Sequence, residues 1–260
     1  MRKQRIGLIG FGFIGRQVYQ RLLADPALET AFVHNRSESA LASVPQALRL
    51  RDLAQASARG PDLVVEMAHP AFTRDYGEQL LRFCDYLPLS VTALADDGLR
   101  KLLLGTARDH GTRLLIPHGA LMGTDNLAEG DWREVSITFW KNPAHIDFSE
   151  SGLDPTAIAG ETVVYDGPVR GIAARYPRNV NTMVTCALAT TGLDACRARL
   201  VAVPGLDVGK IRIEAQGKDG ALLVLHKEQP MEGVSGTEMF ESQWRSIRRA
   251  AGVIDSPAFV

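Results

Sequence analysis

Three glycines, Gly10, Gly12 and Gly15, stand in a G-x-G-x-x-G spacing at the end of a short apolar run, RIGLIG. The stretch that follows, Ile14 to Leu23, repeats its apolar residues at helical spacing and turns Arg16 and Gln17 outward. An apolar run closed by glycine reads as a buried strand, and the periodic stretch as a helix packed on it. Gly10 allows the tight turn, Gly12 lets backbone approach a pyrophosphate, and Gly15 lets the helix lie close to the strand. The helix N-terminus, opened by Phe13 and Ile14, offers free N–H groups and the positive end of its dipole to phosphates. With 24 glycines in the chain the spacing alone is weak. Its place at the first strand–helix junction of an alternating unit supports dinucleotide binding. The alternative is a packing turn in an α/β protein that binds something else.

The alternation continues. TAFVHN and Asp62–Ala68 (DLVVEMA) read as strands, and Pro70 with Phe72 to Phe83 opens a helix. DYLPLSV is a weaker strand because of Pro88, Asp96 or Asp97 caps a helix to about Asp109, and Thr112–Gly119 (TRLLIPHG) is a further strand. Such alternation predicts a parallel sheet covered by helices on both faces. After Gly119 the pattern becomes period two: EVSITFWK, ETVVYDG, RARLVAVP, GKIRIEAQG and GALLVLHKE. These predict strands of antiparallel type with one solvated face. One helix, about Asn179 to Thr190, lies among them, and an amphipathic helix from Glu238 to Ala251 ends the chain. The expected organisation is a dinucleotide-binding domain at 1–119, completed by 236–260, and an α+β domain at 120–235.

The net charge of −1 over 260 residues argues against nucleic acid or an anionic membrane as partner. No apolar run approaches the roughly 20 residues that span a bilayer. Cys84, Cys186 and Cys196 are odd in number and widely spaced, which argues against a disulfide framework or a zinc site and for buried thiols in a reducing cytoplasm. The sequence has no metal-ligand spacing, so no metal is expected.

The second strand ends in His34-Asn35-Arg36-Ser37, without the acid that takes a ribose 2′-hydroxyl. An acid would repel a 2′-phosphate, whereas an arginine and a hydroxyl would hold one. Asn35, Arg36 and Ser37 therefore predict a preference for NADP(H), with NAD(H) as the alternative. Ligands of open α/β sheets sit beyond the carboxyl ends of the strands, which adds Ala68, His69 and Ser90 to the candidate coenzyme contacts. His69 and His118 both follow strands, and either could transfer a proton near neutral pH. The alternative for both is a loop histidine bonded to backbone. Phe13, Phe32, Trp140 and Trp244 are expected in the core or a pocket wall.

Several stretches, in order, resemble the L-aspartate dehydrogenase family: GLIGFGFIG, VVEMAHPAFTRDYGEQLL, LSVTALADDGLRKLL, IPHGALMGTDNL and YPRNVNTMVTCALA. The resemblance implies a Rossmann-type doubly wound sheet and a second α+β domain that also forms a homodimer. It implies reversible NAD(P)-dependent deamination of aspartate through iminosuccinate. By position it makes Ala120 and Asn181 coenzyme contacts, Asn181 toward the nicotinamide carboxamide, and sets Lys141 where the family has the Lys of an Arg-Lys pair. Three departures accompany it. Counting back from Gly217, Ile211 stands where the family has its catalytic histidine, and isoleucine cannot transfer a proton. Trp140 replaces the Arg beside Lys141, and EGVSGTE replaces an Asn-Pro-Lys-Thr stretch. The loss of two cations points away from a dicarboxylate, and Trp140 toward a more apolar ligand.

The expectation is an NADP(H)-preferring oxidoreductase acting on an amine, its imine or a related carbonyl, with His118 or Lys141 as proton donor and a substrate other than aspartate. A coenzyme-binding sensor without turnover and a true L-aspartate dehydrogenase are the alternatives.

Overall fold

The computed structural model describes residues 2–233 and 235–253. The expected completing segment 236–260 is thus described as far as residue 253. The chain divides into two compact units, one running to Pro117 and resuming at Phe240, the other from His118 to Met239.

Up to Pro117 the described residues of the first unit form four strands, β1 (Gln4–Ile9), β2 (Leu28–His34), β3 (Leu63–Glu66) and β4 (Asp85–Pro88), and three α-helices, α1 (Phe13–Ala24), α2 (Pro70–Leu81) and α3 (Asp97–His110). The sheet is all parallel in the order β2-β1-β3-β4. One face is covered by Val18, Tyr19 and Leu22 of α1, packed over Ile6, Leu8, Leu63, Val65 and Leu87. Each such side chain contributes roughly 1.5–3 kcal/mol on burial. On the other face, Thr73 of α2 hydrogen-bonds to Tyr86 at 2.9 Å, and Gly77 lets Leu103 of α3 approach. The Asp96 carboxylate caps α3 at the Leu99 N–H, 3.0 Å away.

The strand expected at Thr112–Gly119 is reduced to a single bridge between Leu114 and Tyr86. Tyr86 donates to the Arg113 carbonyl and accepts from Leu115 N–H, and the pairing stops there. Pro117 has no N–H with which to extend the ladder. The closing helix (Met239–Ala250) adds Ile247 and Ala250 to the α1 face of the first sheet. Its Glu241 pairs with Arg21 at 2.6 Å.

The second unit is built on a six-stranded sheet. In chain order its elements are α4 (Thr124–Glu129), β5 (Trp132–Lys141), β6 (Thr162–Pro168), α5 (Val169–Arg175), α6 (Asn181–Ala189), β7 (Arg197–Ala202), β8 (Val208–Gly217), β9 (Leu222–Glu232) and β10 (Ser235–Gly236). The closing helix is therefore α7. The sheet order is β10-β9-β8-β5-β7-β6. Most pairs are antiparallel, but β5 and β7 run parallel, because the chain passes through β6, α5 and α6 between them. Period-two patterning fixes which face a residue takes and says nothing of strand direction. Two helices besides the expected one are present. With six and seven residues, α4 and α5 are too short for a helical period to register. Val135, Ile137, Phe139, Ile211 and Ile213 are buried on one face of this sheet. No described helix is long and apolar enough to cross a membrane.

Candidate functional site

In the first unit the glycine loop forms at the end of β1. Gly10 has a φ of +90°, and a Cβ there would meet the Met67 carbonyl carbon at 2.8 Å. A Cβ on Gly15 would come within 2.2 Å of the Gly10 oxygen. Packing inside the protein thus requires both glycines. Gly12 differs, since a Cβ there would have no described atom within 4 Å. Its bareness matters only to something that approaches from outside, as the pyrophosphate role demands. Gly12 is also the N-cap of α1, makes no side-chain cap, and is followed by no acid in the first turn. The free N–H groups and positive helix end are left for an anion. A dinucleotide fits the loop on these grounds.

The residues around this loop divide by what they already hold. Asn35 accepts from Phe11 N–H at 3.0 Å and donates to the Ser37 carbonyl at 3.0 Å, so its amide braces the glycine loop. Arg36 and Ser37 are exposed. The nearest acid, Glu38, is ion-paired with Arg51. Phe13, expected in a core or wall, is 53% exposed at the head of α1 and meets Phe240 edge-on with ring centres 5.3 Å apart. Ile14 packs partly against the core.

The strand ends are organised by a residue the sequence reading passed over. Glu66, the last residue of β3, is fully buried. Its Oε1 accepts from Ala68 N–H (2.7 Å), His69 N–H (2.8 Å) and the Ser90 hydroxyl (3.0 Å), and its Oε2 accepts from Ser90 N–H (3.2 Å). One carboxylate therefore ties the loop after β3 to the loop after β4. The N–H groups of Ala68, His69 and Ser90 are spent on it, so any coenzyme contact by these residues uses other atoms. His69 is the N-cap of α2, its Nδ1 accepting from Ala71 N–H at 3.2 Å, and that nitrogen is not free for proton transfer. An acid inside an apolar run was the available signal, because a carboxylate there must find donors.

Burial pushes the Glu66 carboxyl up to about 7, against the hydrogen bonds that lower it. A carboxyl raised in the folded state keeps a proton that the unfolded chain releases. Stability through this group therefore falls as pH rises from about 4.5 to about 7, and is level above that. The full span is roughly 3 kcal/mol. Thermal melts at pH 5, 6, 7 and 8 should show this decline in the wild type and a flatter profile in Glu66→Gln. Parallel profiles in the two proteins would refute the assignment.

The second unit holds a cavity of about 60 Å³ on the covered face of its sheet. Phe139 and Lys141 of β5, Ile211 of β8, and Gln229 and Met231 of β9 line it, with Asn181 and Thr182 from the first turn of α6. Ala120, Arg178, Asn179 and Lys210 are also among its lining residues. Phe139 pairs with Ile211 across the ladder, and Lys141 lies two residues on, on the same side. Lys141 is 6% exposed, its ammonium 5.4 Å from the Phe139 ring centre, and burial lowers its pKa to about 8.

Of the candidates expected here, Lys141, Ala120 and Asn181 come together on the cavity, while His118 and Trp140 are not among its lining residues. Alternation places Trp140 opposite Lys210 and on the face away from Lys141. Trp140 therefore lends the expected apolar ligand no support at this cavity. Arg178 supplies a cation among the lining residues, paired with Asp147 at 2.8 Å. Lys227, directly across from Ile211, is paired with Glu238 at 2.6 Å and is not among the lining residues. Among the described residues no group of three or more His, Cys, Asp or Glu could hold a metal ion.

Residues 124–239 match the family model described as Aspartate dehydrogenase, C-terminal, and residues 10–117 match Homoserine dehydrogenase, NAD binding domain. The chain is 34% identical to an aspartate dehydrogenase domain-containing protein of Xenopus tropicalis, with 96% of each chain covered. It is 31% identical to L-aspartate dehydrogenase 2 of Bordetella bronchiseptica, covering 94% of this chain and 96% of that one. Among solved structures it resembles aspartate dehydrogenase from Thermotoga maritima, with a TM-score of 0.75, 24% identity and all of both chains covered. It also resembles GenD2 from gentamicin A biosynthesis, solved in complex with NAD, with a TM-score of 0.63 and 14% identity over 100% of this chain and 89% of that one. These two likenesses speak to the fold alone.

Proposed function

The chain belongs to the aspartate dehydrogenase family of NAD-binding oxidoreductases, and from that premise we propose that it is an NADP(H)-preferring enzyme moving hydride between the coenzyme and the carbon of a carboxylate-bearing amine or its imine. The observation that carries this reading is Lys141, a buried ammonium whose pKa is lowered to about 8, set in a cavity beside Asn181 and Arg178. When bound, the nicotinamide supplies the hydride chemistry. The protein's part is to grip, to exclude water and to manage the proton.

The glycine loop and the open end of α1 hold the pyrophosphate. Arg36 and Ser37 take the 2′-phosphate. Lys141 is preferred to His118 as proton donor because it lines the cavity and titrates close to neutral pH, where a group both holds and releases a proton readily. Lys141 and Arg178 give a substrate carboxylate charged donors in a partly dry site. Ile211 leaves the position opposite Phe139 without a proton-transfer group, and reduction of an already protonated iminium needs little help from an acid.

The test is coenzyme titration followed by a panel of amines with NADP+ and of oxo acids plus ammonia with NADPH. Turnover of at least one member is expected. Ile211 on the cavity wall is the one feature that favours a non-catalytic coenzyme sensor, and tight coenzyme binding with no turnover anywhere would establish that instead. Within the same assay, Arg36→Ala should raise KM for NADPH on the order of tenfold and leave that for NADH nearly unchanged, since one charge-assisted contact contributes about 1.5–3 kcal/mol. Equal effects on both coenzymes would remove Arg36 from the 2′-phosphate.

A further inference from the structure

Gln229 lines the cavity and carries an unsatisfied acceptor. It lies on β9, paired with Gly209 and diagonal to Ile211, and is 6% exposed. Its Oε1 is buried and has no hydrogen-bond partner among the described residues. A buried carbonyl left without a donor costs about 1–3 kcal/mol, and a ligand that brings a donor removes that cost. The position of the amide is fixed by Gly236, where a Cβ would come within 2.1 Å of Gln229 Cδ. Only glycine leaves room for the carboxamide beside position 236.

Beside it the Thr182 hydroxyl can also accept, and the other neighbouring polar groups are poorly placed to do so. Lys141 and Arg178 carry donors only. Asn179 has both ends of its amide engaged, the oxygen with Asp147 N–H at 2.8 Å and the nitrogen with the His145 carbonyl at 2.9 Å. Asn181 has interactions of its own. A substrate carboxylate brings only acceptors, which suit Lys141 and Arg178. The donor that a primary amine and its iminium both carry is the N–H on the reacting carbon.

We propose that Gln229 accepts a hydrogen bond from the reacting nitrogen of the substrate, and so selects amines over ligands of the same shape that lack one. The assignment rests on the amine/imine reading above. It gives the cavity two poles, a cationic one for carboxylate and a neutral acceptor for N–H, and places the acceptor one register step from Ile211. Gln229 is a specificity residue in this scheme and moves no proton.

The experiment uses the whole protein saturated with NADPH, so that an amine binds without turning over. L-aspartate and succinate are titrated by calorimetry into the wild type, Gln229→Met and Gln229→Glu, because the two ligands share both carboxylates and differ in the amino group. The wild type should favour aspartate by roughly tenfold, the equivalent of one hydrogen bond to a charged donor. Gln229→Met, of similar volume without an acceptor, should lose that preference and raise KM for the amine found by the panel, with kcat within a few-fold and the NADPH Kd unchanged. Gln229→Glu keeps the acceptor and should retain the preference.

A preference that survives in Gln229→Met overturns the proposal. A Gln229→Glu protein as impaired as Gln229→Met shows that the amide donates, and a shifted NADPH Kd shows that it touches the coenzyme, and either result also overturns it. No preference in the wild type overturns it even if amines turn over. If no amine turns over but the binding preference exists and depends on Gln229, the enzymatic reading fails and the assignment of Gln229 stands.

Discussion

A valine at Gly12 should weaken dinucleotide binding by on the order of 100-fold, about 3 kcal/mol, while the fold stays essentially intact. The two halves of this outcome have separate causes. Gly12 sits at φ −76° and ψ −155°, extended backbone open to any residue, and a Cβ there meets no described atom within 4 Å. The protein itself registers little beyond a poorer N-cap, worth about 1 kcal/mol or less and a few degrees in Tm. A pyrophosphate seated on the free N–H groups of α1 would occupy the space into which the isopropyl group projects. Fluorescence titration with NADPH and NADH, beside a thermal melt, measures both. Unchanged affinity for both coenzymes would show that the loop does not cradle phosphate. A collapse in Tm would show that Gly12 serves packing, as Gly15 does, where a Cβ would strike the Gly10 oxygen at 2.2 Å.

This contrast indicates how much of the molecule could be read from its letters. The glycine spacing and the alternation of the first unit are local patterns, and they specified a parallel sheet covered by helices, one strand longer than the four that form. The period-two runs from EVSITFWK onward likewise identified strands. The parallel pairing of β5 with β7 is a property of the path between them, which no single run encodes. The register of β8 places Ile211, singled out by counting from Gly217, on the cavity opposite Phe139. Trp140 was misread because being next to Lys141 in sequence put it on the other face of the strand.

The polar residues that organise the interior were the hardest to find. Glu66 and Gln229 look like surface residues in a composition count, and become informative only when burial forces each to account for its hydrogen bonds. Glu66 accounts for all of its own, with four donors from two loops. Gln229 leaves one oxygen over. One carboxylate thus serves the scaffold, and the amide oxygen is the group proposed to meet the substrate.

Lys141→Met should cost activity and add stability at the same time. Burial lowers the Lys141 pKa from 10.5 to about 8, so at neutral pH the protein holds an ammonium that its surroundings disfavour. A lysine depressed in the folded state penalises folding fully below about pH 8, and the penalty disappears as pH rises from there toward 10.5. Methionine keeps most of the volume and removes the charge. At pH 7 the variant should therefore melt higher than the wild type, by up to roughly 3 kcal/mol of stability, and the difference should shrink steadily toward pH 10. Loss of a general acid and of a carboxylate donor together should lower kcat/KM by about 100- to 10,000-fold. In the wild type the activity should fall on the alkaline side with an apparent pKa near 8, and that limb should be absent from whatever activity Lys141→Met retains. Melts at pH 7 and 10 and a pH–rate profile decide the matter. A variant that is less stable at pH 7, or one that keeps the alkaline limb, would mean that the charge on Lys141 is held by the protein for packing and not for the substrate.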